Sequence, residues 1–208
     1  MKKIATTVER ANRVANFLSD SVDDYLAARV LFNKELASQG AILSSTAIEK
    51  ALKAILALHG NMSRGHLKTA HWNAAKNFDP DLFQQLNVSF LKLNKKAYDL
   101  RYLESLRVGF NLVICVREFL AELDHTIMLI HSKFGDSSPL VHLVRTRDVR
   151  LTTENFRFSE ISKDEFVRSA AQFVFALRVL PMGCMKATYR TANSAEPIGF
   201  EVEGLKPS

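Results

Sequence analysis

Cysteine is scarce in this chain of 208 residues, which contains only Cys115 and Cys184. Two cysteines this far apart form no CxxC motif and no disulfide framework. We expect Cys115 to be a small core residue and Cys184 to lie in a Pro-Met-Gly-Cys turn. The scarcity argues against the disulfide-rich class of small secreted domains.

Patterns of metal ligands are also lacking. His59, His66 and His71 are close in sequence, but no HExxH or CxxC motif accompanies them. A zinc site needs three or four convergent ligands. We therefore predict no metal ion and no other cofactor.

The motifs of common enzyme chemistry are absent as well. The chain has no GxxxxGK[ST] or GxGxxG phosphate loop and no GxSxG nucleophile elbow. Glu49 and Asp124 are isolated acids in the sequence, so a mechanism with paired carboxylates has no basis. No catalytic motif is strong enough to name a reaction.

Long apolar runs are missing too. The longest candidates, residues 110–116 and 170–180, are short or interrupted by Arg, whereas a helix that crosses a bilayer needs ~18–20 apolar residues. Residues 1–10 contain no apolar region of the kind found in secretion signals. The expected location is the cytoplasm, without membrane association.

The composition is that of an ordinary globular protein with a positive charge. Hydrophobic residues make up 47% and charged residues 24% of the chain, close to the usual averages, which predicts a folded core. The formal net charge is +6, from 28 Lys and Arg against 22 Asp and Glu. A positive excess attracts nucleic acids or other anionic surfaces without sequence specificity.

Helical periodicity dominates the N-terminal part. Apolar residues recur at mostly three- and four-residue intervals through residues 8–36, which predicts an amphipathic helix. A Ser-Asp-Ser segment at residues 19–21 is a candidate N-cap for a second helix inside this stretch. Gly40 is the predicted stop signal.

The clearest helical pattern covers residues 41–59. Its apolar stripe is continuous, and Glu49 and Lys53 form an i,i+4 pair of favourable orientation on the polar side. Residues 61–77 are polar and predict a loop or a loosely held turn of helix.

Two further helices are predicted in the middle of the chain. Asp79 is an N-cap acid and Pro80 suits the first helical position of a third helix, whose inner face extends to Leu93. A long helix is predicted over residues 103–134. Gly109 weakens it by about 1 kcal/mol relative to Ala and marks either a kink or its true start.

The C-terminal third has a different pattern. Ser162 and Glu165 form a capping box, which predicts a helix that continues through Leu177. Alternating apolar residues within 188–205 are typical of a strand and predict a small β-hairpin.

These elements predict a mainly α fold. Amphipathic helices joined by short connections bury their apolar stripes against one another, so we expect an antiparallel up-and-down helical bundle over residues 1–138. Residues 139–208 form a C-terminal extension, with one helix and a β-hairpin, that packs on the bundle.

Several segments resemble the HEPN family of helical domains. Residues 45–56, with the sequence Ser-Thr-Ala-Ile-Glu-Lys-Ala-Leu-Lys-Ala-Ile-Leu, resemble the signature of the second HEPN helix, and residues 24–31 resemble the Ala-rich first helix. His66 after the polar loop and the aromatic-basic residues 98–102 fit later positions of the family pattern. The resemblance covers residues 20–132 and implies a HEPN-like bundle.

The resemblance also implies a choice of functions. The family includes ribonuclease toxins of toxin–antitoxin and phage-defence systems, RNA- or nucleotide-binding members, and members without nuclease activity. Its nucleases carry an Arg, a polar residue and a His separated from that Arg by four to six residues, near the last core helix. Here only Arg64 and His71 fit the spacing, and they lie in the polar loop. We regard this pair as a chance match and expect a non-catalytic member.

The residues predicted to bind RNA or a nucleotide combine basic and aromatic side chains. Basic residues hold phosphates while an aromatic ring stacks on a base. These residues are Lys95, Lys96, Tyr98, Arg101, Tyr102 and Arg107, with Arg145 and Arg147 as a second cluster. A solvated helix end with half-buried Tyr rings is the commoner explanation of such a pattern.

Two other functions remain open at this point. One is a helical module for protein–protein interaction or dimerisation, without a nucleic-acid role. The other is an active, metal-independent ribonuclease that uses Arg64 and His71. The expected partners are a second copy of the chain, RNA or a nucleotide, and a cognate antitoxin or nucleotidyltransferase.

Overall fold

The computed structural model describes residues 7–61, 69–146, 148–152, 173–179, 185–191 and 198–202. The described part is mainly helical and also contains a four-stranded antiparallel sheet. The α-helices are α1 (Thr7–Asn33), α2 (Ala37–Leu58), α3 (Thr69–Phe78), α4 (Pro80–Gln85), α5 (Val88–Tyr98), α6 (Val116–Ser132), α7 (Pro139–Arg145) and α8 (Val149–Thr152). The strands are β1 (Asn111–Cys115), β2 (Phe173–Val179), β3 (Met185–Thr191) and β4 (Ile198–Val202).

α1 and α2 form an antiparallel helical pair. Near the connection between them, the ring of Phe32 lies against Gly40. Halfway along, the Ser21 hydroxyl donates a hydrogen bond of 2.9 Å to the Ala47 carbonyl. At the far end, Leu18 packs in one cluster with Ala54. α1 is continuous through residues 19–21, so the predicted N-cap there is wrong, because Ser21 is buried against α2.

Gly40 has a different role from the predicted one. The left-handed backbone conformation in the connection belongs to Glu35, with φ of 61°, and Gly40 lies in the first turns of α2. A Cβ at Gly40 would lie 2.9 Å from Cδ2 of Phe32. The glycine is therefore required for close packing of the helices and does not end a helix.

We expect Gly40→Ala to destabilise the protein by about 1 kcal/mol in urea unfolding. Helix propensity alone favours Ala by about 1 kcal/mol, but overpacking a closed core costs about 1–3 kcal/mol, and Phe32 is 2% exposed. Adding Phe32→Leu to Gly40→Ala should remove most of the penalty in a double-mutant cycle. Greater stability of the single Gly40→Ala variant would contradict this packing argument.

Two predicted elements differ in extent from those of the structure. Residues 69–77, predicted as a loop or a loosely held turn of helix, lie in the regular helix α3, because Trp72 and Ala75 are buried in the core. The predicted third helix is divided into α4 and α5 at Leu86, whose ψ of 134° is extended. The predicted cap at Asp79 is confirmed, since its Oδ1 accepts a hydrogen bond of 2.9 Å from the Leu82 N–H.

The predicted helix over residues 103–134 is wrong for its first half. After two short 3-10 turns, residues 111–115 form β1, and α6 begins at Val116. Leu112 and Ile114 point into the core while Val113 is exposed, which is the alternation of a strand with one buried face. Residues 111–115 form a strand and not a helix because their main chain pairs with β2.

Residues 173–177, predicted to end a helix, belong to β2. The burial of Phe175, Leu177 and Val179 alternates with the exposure of Arg178, and β2 pairs with both β1 and β3. The capping box at Ser162 and Glu165, like Cys184, lies outside the described residues.

The predicted C-terminal hairpin is confirmed as an antiparallel pair of β3 and β4. The sheet order is β1-β2-β3-β4, so residues on both sides of the predicted boundary at 138 hydrogen-bond to each other. Leu140 and Leu143 of α7 also join the main core. The division into 1–138 and 139–208 stays a prediction.

Candidate nucleic-acid interface

Buried polar contacts hold α5 against α2. The Asn87 side chain caps α5 by accepting hydrogen bonds from the Ser89 and Phe90 N–H groups. Inside the protein, the Ser44 hydroxyl donates to the Asn94 side-chain oxygen at 2.7 Å, and the Asn94 amide donates to the Phe90 carbonyl at 3.1 Å. Asn94 faces the interior, and the next residue of α5, Lys95, is exposed.

Arg101 lies beside two tyrosine rings in the turn that follows α5. Its Nη1 donates a hydrogen bond of 2.6 Å to the Tyr98 hydroxyl. The guanidinium carbon lies 5.0 Å from the Tyr98 ring centre and 5.9 Å from the Tyr102 ring centre, within the range of cation–π attraction. Tyr98 is 7% exposed and Tyr102 is 49% exposed, so one ring is anchored in the core and the other meets solvent.

Glu49 of α2 lies close enough to Tyr98 to affect the pKa of its hydroxyl. Burial raises the pKa of Tyr98; Arg101 opposes this rise, while Tyr102 and Glu49 contribute to it. Glu49 is buried and pairs with Lys53 at 2.5 Å. The two segments of the family resemblance, residues 45–56 and 98–102, thus lie next to each other in the fold.

Lys96 and Arg107 extend the basic region towards β1. Lys96 Nζ lies 5.0 Å from the centre of the Phe110 ring and donates to the main-chain carbonyl of Asn111. Arg107 is exposed in the turn closed by the Phe110 N–H, which donates to the Arg107 carbonyl at 2.9 Å. Five exposed residues define what we call the basic–aromatic surface: Lys95, Lys96, Arg101, Tyr102 and Arg107.

The second predicted cluster is not part of this arrangement. Arg145 forms an exposed ion pair of 2.6 Å with Asp136 and belongs to α7, which packs on α6 and α1, whereas α5 packs on α2 and β1. Arg150 pairs with Asp148. Arg147 lies outside the described residues.

The candidate catalytic pair has no accessible histidine. His71 is 0% exposed in α3, and an imidazole enclosed in this way is out of reach of a phosphate on the surface. Arg64 and His66 lie outside the described residues. Among the described residues, no group of three or more His, Cys, Asp or Glu is placed to hold a metal ion.

Sequence reasoning missed a charged cluster in the core. Arg29 is 0% exposed and pairs with Asp124 of α6, and the Tyr25 hydroxyl donates to the same carboxylate at 2.7 Å. Burial raises the pKa of the Asp124 carboxyl, while Arg29 and Tyr25 oppose this rise. The buried charges of Arg29 and Asp124 compensate each other. The cluster has a structural role, because it joins α1 to α6.

His131 forms a second buried polar cluster. Its Nε2 lies 3.1 Å from the Ser21 hydroxyl and its Nδ1 lies 2.8 Å from the Ser138 hydroxyl. Ser21 already donates to the Ala47 carbonyl, so Nε2 must be the donor towards Ser21, and Nδ1 then accepts from Ser138. Burial lowers the pKa of His131 to about 4, and the ring is neutral at pH 7.

A cavity of about 290 Å³ lies between α5, β1 and the start of α6. Phe90 and Phe119 line it together with Cys115 and Glu118. Burial, followed by the charge of Glu118, raises the pKa of the Cys115 thiol. A raised pKa disfavours the thiolate, so Cys115 is not an activated nucleophile.

Comparison of the chain with protein-family models, curated proteins and solved structures finds no match. In the part of the chain that the structure describes, no helix is long and apolar enough to cross a membrane.

Proposed function

We propose that this protein is a non-catalytic, HEPN-like helical protein that binds RNA or a nucleotide through the basic–aromatic surface. The observation that carries the proposal is the arrangement around Arg101, whose guanidinium lies over the Tyr98 and Tyr102 rings. The exposed cations of Lys95, Lys96 and Arg107 lie on the adjoining turns. Cations next to an exposed aromatic ring suit a ligand with both phosphates and bases.

The helical packing supports the kinship. The antiparallel α1 and α2 carry the two segments that resemble the first HEPN helices, and α5 and α6 pack against α2, as expected for an up-and-down bundle. The proximity of Glu49 and Tyr98 supports the resemblance, because the acid in the second-helix segment lies beside the aromatic-basic turn.

The burial of His71 supports the non-catalytic part of the proposal. A general acid–base must reach the proton that it transfers, whereas His71 is enclosed. By the family resemblance, the setting is a toxin–antitoxin or phage-defence system in the cytoplasm. We propose a homodimer there, with an antitoxin or a nucleotidyltransferase as partner.

One observation favours a second function, that of a protein-interaction module. Leu103 is 43% exposed and Val108 is 60% exposed, and both lie close in sequence to Tyr102. Exposed apolar residues that cluster on one surface mark interaction sites. Light scattering after size exclusion, with and without Val108→Ser, tests this alternative: a dimer that dissociates on substitution favours it.

We expect the protein to bind a short RNA with an affinity that falls as salt increases. Each lost phosphate contact should reduce the slope of log K against log salt by about 0.7 for a single strand. Lys96→Gln combined with Arg107→Gln should therefore reduce the slope by roughly 1.4. Fluorescence anisotropy of a labelled RNA at four salt concentrations measures it.

Two variants complete this experiment. Arg101→Ala should weaken binding about tenfold, because one charge and the stack over Tyr102 are lost. Arg145→Gln removes an equal charge from a residue paired with Asp136 and should have little effect. No binding at low salt, or binding unchanged by Arg101→Ala, would remove the proposed function.

A further inference from the structure

We infer that the basic–aromatic surface recognises an unpaired base, with Tyr102 as the platform on which the base stacks and Arg101 as the residue that positions Tyr102. The inference rests on the proposed function and specifies its ligand as single-stranded RNA. In this arrangement Arg101 acts through Tyr102 and is not only a contact for phosphate.

The exposure of the two tyrosines separates their roles. Tyr98 is 7% exposed and its hydroxyl is engaged by Arg101 at 2.6 Å, so its ring is not open to a ligand. Tyr102 is 49% exposed, which leaves a large part of its ring open to solvent. A nucleobase that stacks on this surface buries apolar area without needing a sequence-specific hydrogen bond.

The contacts of Arg101 explain why Tyr102 is held in place. The guanidinium is hydrogen-bonded to Tyr98 and lies 5.9 Å from the Tyr102 ring centre. It thus links the anchored ring to the exposed one. We expect an Arg in this position to restrict the exposed ring before the ligand arrives, which reduces the entropy lost on binding.

The basic residues that precede and follow Tyr102 in the chain suit a flexible single strand of RNA. Lys95 and Lys96 precede it on α5, and Arg107 follows it in the turn before β1. An A-form duplex keeps its bases stacked inside the helix and offers only phosphates and 2′-hydroxyls. A single strand is able to place a base on Tyr102 while its neighbouring phosphates contact the lysines and Arg107.

The test compares an 8-nucleotide RNA with its own duplex, by anisotropy, for the intact chain and two variants. Tyr102→Leu removes the ring and should weaken single-strand binding about 5- to 150-fold, with the salt slope unchanged, because no phosphate contact is lost. Tyr102→Phe keeps the ring and should bind as the unmodified protein does. Duplex binding should be weaker and equal in all three.

Arg101→Lys tests the positioning role. It keeps the charge but loses the planar stack, so we expect weaker single-strand binding with the same salt slope. A 2-aminopurine base in the RNA provides a direct readout, since stacking on Tyr102 quenches its fluorescence, and this readout needs only the unmodified protein.

The outcomes distinguish the two proposals. Quenching together with the loss in Tyr102→Leu supports the inference. Salt-dependent binding that is equal for single strand and duplex, without quenching and unaffected by Tyr102→Leu, overturns the inference and leaves the proposed function standing. Absence of any RNA binding at low salt overturns both.

Discussion

Asp124→Asn is expected to lower the free energy of unfolding by about 3–5 kcal/mol, because it leaves the charge of Arg29 buried without its counterion. Arg29 is 0% exposed, and this charge has no solvent nearby to replace the lost carboxylate. For a chain of this size, such a loss corresponds to a decrease in Tm of roughly 10 °C. Urea unfolding followed by circular dichroism measures it.

Two variants show that the effect comes from burial. Asp136→Asn removes an acid that pairs with Arg145 on the surface, with both side chains largely exposed, and it should change stability by less than about 0.5 kcal/mol. The variant Tyr25→Phe/Arg29→Met/Asp124→Leu should recover most of the loss, because apolar residues of similar size often replace a buried ion pair without cost and the Phe leaves no buried hydroxyl without its partner. A loss below about 1 kcal/mol for Asp124→Asn would contradict the structural role of the pair.

The stability of the protein is expected to fall as the pH decreases from 6.5 to 4, through His131. Burial lowers the pKa of His131 in the folded chain to about 4 from the ordinary value of 6.5. Between these two pH values the unfolded chain binds a proton that the folded chain does not, so protonation favours unfolding. The difference between the two pKa values corresponds to about 3 kcal/mol, all of it present above pH 6.5.

The hydrogen bonds of His131 explain why protonation is resisted. In the neutral ring, Nε2–H faces Ser21 and Nδ1 accepts from Ser138. A second ring proton would remove that acceptor and add a charge to a buried site. His131→Gln should flatten the pH dependence of unfolding between pH 4 and 6.5, whereas His125→Gln, a substitution of an exposed histidine on the same helix, should leave it intact. Equal slopes in both variants would assign the dependence to other groups.

The candidate interface was predictable in part. Lys95, Lys96 and Arg107 are exposed as expected, because most charged side chains stay in water. The sequence offered no means of distinguishing Tyr98 from Tyr102, since both belong to one short aromatic-basic segment. Only the packing of the last turn of α5 buries the first ring, and the path of the chain after α5 leaves the second exposed.

Arg145 illustrates the opposite case. Its position in a basic cluster suggested that it extends the same surface, but in the fold it pairs with Asp136, nine positions away. Local sequence does not show which acid lies within 4 Å of a given base, because that depends on how the intervening turn folds.

The amino-acid sequence by itself determined the features that depend on neighbours along the chain. The apolar periodicity of α1 and α2, the Asp79 cap and the alternation in β4 all arise from interactions over a few residues. Tertiary structure decided the features that depend on distant partners. Residues 111–115 and 173–179 are strands because they pair with each other, and Arg29 is tolerated in the core because Asp124, 95 positions away, meets it there. The free energy of such contacts comes from surfaces that meet only when the chain has folded.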